Sequence, residues 1–459
     1  MRKTTISELI FFLTGIFLLL LGVKFFHNPV GYNKILFLFL TTIKYGTIAL
    51  GALVMVFSIG SIFSATSWLK NAKVKKYFIN IAVLLVSSLL CALVLEVILQ
   101  VTFPESCKQD DPIYDHSYKP NCYSRFSSFE WDTEVYINAE GLRDDEIVPK
   151  EQFDFRILML GDSMTWGYGV EKEETFSEVL QQNLRAKGIN ADVINAGATS
   201  YSPSLEYLLL KYKGLSYQPD IVVLNLDMSD VQDDYIREKA AEFDQQGNII
   251  KVSGIKEEGY TLLHKIRKKM KLNRFIVDKL NLIDSKWVKK EEAPEVLPLG
   301  DPKTDRYAIL RDMPVQDEEE HWNRTFHYLS LINELCKENG ITFVLTLYPY
   351  GVQVSPDEWS EGRHMFGFKP GVVEGDAPQR KVREYAENNI IYVEMLDSFQ
   401  ESETFPLYFP YDGHINRDGH ALAATVLEKQ LREEGIVEPS GKLGESMNTG
   451  YPSMPFKIN

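Results

Sequence analysis

The chain has 459 residues and a formal net charge of −15. That length holds one large domain with attachments, and the acidity excludes a nucleic-acid partner, which would need a basic face. The acidity is not uniform: the first 100 residues are strongly apolar, and their charges are mostly lysine and arginine.

Within 1–103, three spans are apolar enough to cross a bilayer: 6–23, 45–63 and 78–102. Each is close to the about 20 residues that a helix needs to cross. A cleavable signal peptide is the competing reading of the first span. More hydrophobic chain follows it and no small-x-small site ends it, which favours a membrane helix. Lys44 sits at the edge of the second span, where it snorkels; at the bilayer centre it would cost about 2.5–3.5 kcal/mol. Lys70, Lys73, Lys75 and Lys76 lie between the second and third spans, and the loop 25–34 is poorer in charge. The positive-inside rule puts the lysine loop and the N-terminus in the cytoplasm. The expectation is a multi-pass protein of the cell (inner) membrane, with membrane lipid as a partner and everything after residue 103 outside the cytoplasm.

The cysteines fit that topology. Cys91 lies in the third span and Cys336 in a helical pattern, where a small buried hydrophobe is the default. Cys107 and Cys122 bracket a polar stretch just past the membrane. In an oxidising compartment they can close a loop worth about 3 kcal/mol; the alternative is two free thiols.

Residues 104–150 read as an extracytoplasmic connecting segment, with a strand and turn at 135–143 and Arg143 in a surface ion pair, a reach towards the active face being the alternative. The apolar run 155–160 then reads as a strand that ends in Gly161-Asp162-Ser163. Helical spacing at 175–187 follows, then a strand at 192–195, a helix opened by Pro203, and a strand at 221–226. Asp227, Asp230, Asp233 and Asp234 crowd the next turn. They lack the glycine and glutamate of a calcium loop, so helix capping and solvation account for them and no metal is assigned. An insertion at about 235–320 breaks the alternation and carries a basic helical stretch at 262–271. The core resumes with a helix at 322–337, a strand at 341–347, and a loop at 348–368 holding Trp359, Arg363 and His364; the loop reads as an acceptor-binding wall, and His364 by itself as a structural residue. A strand at 390–396, a loop, and a last helix at 417–434 complete the domain at 438; a tail, 439–459, follows. Strands alternating with helices imply a parallel sheet covered on both faces.

Tyr411 to His420 reads YDGHINRDGH. A serine is a weak nucleophile unless a base activates it and a third group orients the base. Asp412 and His414 supply both to Ser163.

On these residues the sequence resembles the SGNH/GDSL hydrolase superfamily. Gly161-Asp162-Ser163 matches the nucleophile block, with Gly161 and Asp162 supporting the nucleophile loop. Asn195-Ala196-Gly197 matches the glycine block, and Asp412-Gly413-His414 with Asn416, Gly419 and His420 the last block. Asp227-Met228-Ser229-Asp230 lies where the family has Gly-x-Asn-Asp, so Ser229 stands in place of the oxyanion asparagine and Asp227 in place of glycine. The Asp-x-His spacing is one residue shorter than the common form.

The resemblance, over about 150–435, implies a three-layer α/β/α (flavodoxin-like) domain. Its parallel sheet has about five strands, with the helical insertion, and the transmembrane helices precede it. It implies a Ser163–His414–Asp412 triad, an oxyanion held by the N–H groups of Ser163 and Gly197 with the Ser229 hydroxyl, and no cofactor. The substrate is an acylated glycan or another acyl ester. Esterases and polysaccharide O-acetyltransferases share this arrangement, and a transferase would need a membrane partner supplying acyl groups. A non-catalytic glycan-binding module is the third reading.

Overall fold

The computed structural model describes residues 106–252 and 318–439, apart from 129, 388 and 389, together with scattered positions between 80 and 96. The chain divides into two compact units, Met1–Glu105 with Glu258–Val288, and Ser106–Glu257 with Lys289–Asn459. In the first, the described positions between 80 and 96 are helical. Cys91 is exposed and Glu96 is buried. Among the described residues no helix is long and apolar enough to cross a membrane. The spans 6–23 and 45–63, most of 78–102, the basic stretch 262–271 and nearly all of the tail lie outside the described residues.

The second unit is built on five parallel strands. They are β5 (Phe155–Gly161), β6 (Ala191–Asn195), β7 (Ile221–Leu226), β10 (Thr342–Leu347) and β11 (Ile391–Val393), ordered β11-β10-β7-β5-β6. Ile157 pairs with Ile221, and Val223 in turn with Val344. β5 and β7 are buried at every position, which is why they read as continuous apolar runs rather than alternating ones. Their side chains still divide by face. Ile157 and Met159 enter one core; Leu158 and Leu160 enter the other.

Helices cover both faces. They are α1 (Ser163–Trp166), α2 (Phe176–Ala186), α3 (Pro203–Tyr212), α4 (Asp230–Glu238), α5 (Glu318–Glu338), α6 (Ala377–Ala386) and α7 (Arg417–Glu433), with single turns at Gly351–Val354 and Leu396–Gln400. The stripe Phe176, Leu180 and Leu184 of α2 shares a core with Leu427 and Leu431 of α7. At about 1.5–3 kcal/mol per fully buried side chain, this layer is a large part of what holds the domain. On the other face α5 packs against α3 and α4. The chain leaves β5 towards β6, then crosses back to β7 on the opposite side. The loops after β5 and β7 therefore open at the switch point where open α/β sheets place their sites.

Three sequence expectations are corrected here. The last strand is shorter than 390–396, because Leu396 already starts a helical turn. The insertion does not begin at 235: α4 runs to Glu238, and an antiparallel hairpin of β8 (Ala241–Phe243) and β9 (Ile249–Val252) follows it. Residues 104–150 are more than a connection. They form two further hairpins, β1 (Lys108–Asp111) with β2 (Asp115–Tyr118), and β3 (Cys122–Ser127) with β4 (Asp132–Ile137). Their inward residues Tyr118, Val135 and Ile137 join the core of the sheet. A Cys107–Cys122 disulfide ties them together.

Candidate active site

The site is assembled at the carboxyl end of the sheet. β5 ends at Gly161, whose φ of +149° suits glycine. Asp162 then caps α1, its Oδ1 accepting the N–H of Met164 at 2.8 Å. Ser163 is the first residue of that turn. Its Oγ lies 2.8 Å from Nε2 of His414 and 3.2 Å from Oδ2 of Asp162. On the other side of the imidazole, Nδ1 meets Oδ1 of Asp412 in a short contact. Residues 251 apart in sequence are thus in hydrogen-bond contact.

The electrostatics suit a base and its orienting carboxylate. Burial alone would lower His414, but the Asp412 charge and hydrogen bond outweigh it and hold the imidazole above its usual range. Burial likewise tends to raise Asp412, and the attraction of His414 wins, keeping the carboxylate below its usual range. Asp162 is pushed up to about 7 by burial first and by Asp227 second.

The remaining motif residues divide into supports and candidate donors. Gly197 packs so closely on α1 that a Cβ there would lie 2.6 Å from the backbone nitrogen of Trp166. Its N–H donates to Oδ1 of Asn195 at 3.1 Å, so an oxyanion would have to share or displace that bond. Ser229 precedes α4 and makes no side-chain capping hydrogen bond; its N–H donates to Oδ1 of Asp227 at 2.7 Å. Asn416 is a support: it caps α7, its Oδ1 accepting the N–H groups of Asp418 at 2.9 Å and Gly419 at 3.1 Å. His420 is buried, accepts the Phe176 N–H on Nδ1 at 3.1 Å, and is pushed down to about 3 by burial, so it is a neutral structural histidine.

Other expectations change with burial. Asp227, Asp230, Asp233 and Asp234 are not solvated: each is 3% exposed or less. Asp227, Asp230 and Asp234 lie close to Glu206 and to Asp162. Asp227 accepts the Tyr350 hydroxyl at 2.7 Å and Asp230 accepts the Asp227 N–H at 2.8 Å. Burial first, then mutual repulsion, raises Glu206 and Asp230 well above the carboxylate range. Among the described residues no group of His, Cys, Asp or Glu is placed to hold a metal.

Arg143 is not in a surface ion pair. It is 1% exposed, lies over the Trp166 ring at 4.7 Å, and donates to the carbonyls of Trp166 at 3.2 Å, Val170 at 2.6 Å and Gly167. It therefore fixes the turn after Ser163. Trp359 and Arg363 do not line a wall either. Both are buried, and Trp359 Nε1 donates to the Tyr411 carbonyl at 3.0 Å, bracing the Asp412 loop from behind.

Two contributions had no sequence signal. Tyr168 packs its ring 4.9 Å from that of His414, and Trp131 meets Tyr168 edge-on at 5.0 Å, giving the site an aromatic side. The other is Glu130, whose carboxylate accepts the backbone N–H groups of Tyr411 and Asp412.

No family model matches the sequence, and no curated protein matches it. Among solved structures the chain is similar to GDSL-type esterases and acylhydrolases. One is the lipase/acylhydrolase from Enterococcus faecalis, at 14% identity and a TM-score of 0.32, covering 62% of this chain and 98% of that one. Another is an acetyl xylan esterase, at 14% and 0.31, covering 60% and 98%. A third is a GDSL-like lipase from Bacteroides thetaiotaomicron, at 13% and 0.29, covering 63% and 92%.

Proposed function

We propose that the chain is a serine acyl-ester hydrolase acting through Ser163, His414 and Asp412. The observation that carries this is the continuous contact from Ser163 Oγ through the imidazole to Asp412. His414, in its neutral form, takes the serine proton as Oγ attacks the ester carbonyl. Asp412 holds the tautomer that leaves Nε2 free to accept, and stabilises the imidazolium. The tetrahedral oxyanion is held by N–H groups of Ser163 and Gly197 and by the Ser229 hydroxyl; one such donor is worth about 2.7–4 kcal/mol. His414 then protonates the leaving alcohol, and water releases the acyl group by the same steps.

The substrate in this reading is an acylated cell-surface or secreted glycan. The aromatic side made by Trp131 and Tyr168 supports it, because sugar rings pack on such faces. The same observation favours, as a second reading, an O-acetyltransferase in which a sugar hydroxyl replaces water; a membrane partner would then supply acyl groups. The intact triad speaks against a non-catalytic glycan-binding module. The apolar spans of 1–103 and the lysine loop support a multi-pass anchor in the cell membrane with this domain outside the cytoplasm, and the Cys107–Cys122 disulfide is in keeping with an oxidising compartment. The test is turnover of an aryl acetate and of an acetylated polysaccharide by the detergent-solubilised protein and by Ser163→Ala. Acetate released only by the wild type supports hydrolysis, acetyl moved to added glycan supports transfer, and no acyl turnover of either kind removes the enzyme reading.

A further inference from the structure

The segment before the sheet reaches into the candidate site at one residue. Glu130 sits in the turn between β3 and β4. The turn is closed by the Ser128 N–H donating to the Trp131 carbonyl at 2.7 Å, and Ser128 Oγ accepts the N–H groups of Glu130 at 3.0 Å and Trp131 at 3.2 Å. From this fixed turn the carboxylate reaches across 281 residues of sequence. Oε1 accepts the Tyr411 N–H at 2.9 Å, and Oε2 accepts the Asp412 N–H at 2.8 Å. Each oxygen is used once, so the carboxylate is a two-pronged clamp on the backbone that carries the orienting aspartate.

We propose that Glu130 is a positioning residue of the catalytic pair: it fixes where the Asp412 carboxylate stands and hence how Asp412 holds His414. The proposal rests on the reading of Ser163, His414 and Asp412 as an acyl-transfer triad. The opposite side of the same loop is held by Trp359 Nε1 on the Tyr411 carbonyl. The two contacts act on the N–H and C=O of one residue, Tyr411, next to the aspartate. Removing one leaves the loop held from a single side. Trp131, the next residue in the turn, bears on Tyr168, which bears on His414. The hairpin tip therefore touches the catalytic pair by two routes, and only the first runs through a charged group. The charged and titratable groups bearing on His414 are Asp412 on its own loop, Asp162 after β5, Asp227 after β7, the Tyr168 phenol against its ring and His420 of α7. Glu130 bears on Asp412 from the hairpin.

The test uses the full chain in detergent, with an aryl acetate as substrate. Glu130→Ala should lower kcat by about 10- to 100-fold, the effect expected when a catalytic group is misplaced by about 1 Å, with KM changed less than about twofold. The acid limb of its pH–rate profile should move to lower pH, because His414 loses part of the attraction that holds its proton. A merely structural role would lower the melting temperature and leave that limb where it is. Glu130→Gln keeps one acceptor oxygen, so it should show a smaller loss with the same direction of movement. If Glu130→Ala does not fold, the glutamine variant decides. Wild-type kcat with an unmoved acid limb in the folded variant overturns the proposal. Absence of turnover by the wild type instead removes the triad reading, and this proposal with it.

Discussion

Arg143→Met sets two large opposing effects against each other in one side chain. Burial pushes the Arg143 guanidinium from 12.5 down to about 10. At about 1.36 kcal/mol per pH unit, that is about 3 kcal/mol of desolvation cost at neutral pH, which methionine would relieve. Against it stand the carbonyls of Trp166, Gly167 and Val170, which Arg143 satisfies in the interior. Leaving an acceptor buried and unpaired costs about 1–3 kcal/mol. The Gly167 carbonyl also accepts the Val170 N–H, so two carbonyls are left unpaired; at about 2 kcal/mol each they outweigh the relief, and the net loss should be about 1 kcal/mol. Turnover should fall at least about tenfold as well, because the turn being freed carries Tyr168 against His414. Arg143→Lys should lie between, since an ammonium cannot fork to three acceptors. Urea unfolding followed by tryptophan fluorescence, with aryl acetate turnover on the same samples, measures both. A methionine variant as stable as the wild type within about 0.5 kcal/mol would refute the reasoning, since the carbonyls would then need no partner.

Other outcomes follow from the same geometry. His414 must be neutral to accept the serine proton and is held above its usual range, so activity should be lost as pH falls through a value above about 6.5. Asp412→Asn should move that limb down, and a wild-type limb below about pH 6 contradicts the assignment. Gly197→Ala would place a Cβ 2.6 Å from the Trp166 nitrogen and 2.8 Å from the Thr165 carbonyl carbon; turnover should fall by about 100-fold or more, and wild-type turnover would show the approach is not that close. The Cys107–Cys122 disulfide spans a sequence separation of 15, so Cys122→Ser should cost about 3 kcal/mol of stability, measured by urea unfolding; an unchanged midpoint would count against the bond.

The parts of this domain that could be read in advance are those whose signal is local. β7 was legible because a strand buried on both faces has to be an unbroken apolar run, and Ile221–Leu226 is nearly that. The turn after β5 was legible because Gly161, Asp162 and Ser163 each answer a need of that turn. The pairing of Asp412 with His414 was legible because the two lie two residues apart on one loop. What escaped was polar and long-range. Arg143 and Glu130 look like any surface charge in sequence; their burial depends on carbonyls at 166–170 and N–H groups at 411–412, which only the fold brings near. The acidic run after β7 has the composition of a solvated turn. It is interior because α4 packs against both α5 and α3, and its carboxylates meet Tyr350 and serines of the α3 start rather than water. Segment 104–150 escaped for the same reason: its hairpins are short and polar outside, and their inward faces find their partner only in the core of the sheet.

The most direct measurement of the central claim is labelling of the detergent-solubilised full chain with a fluorophosphonate, followed by mass location of the adduct. One adduct is expected, on Ser163, absent in Ser163→Ala and strongly slowed in His414→Ala. An adduct on another serine, or none on folded protein, would contradict it.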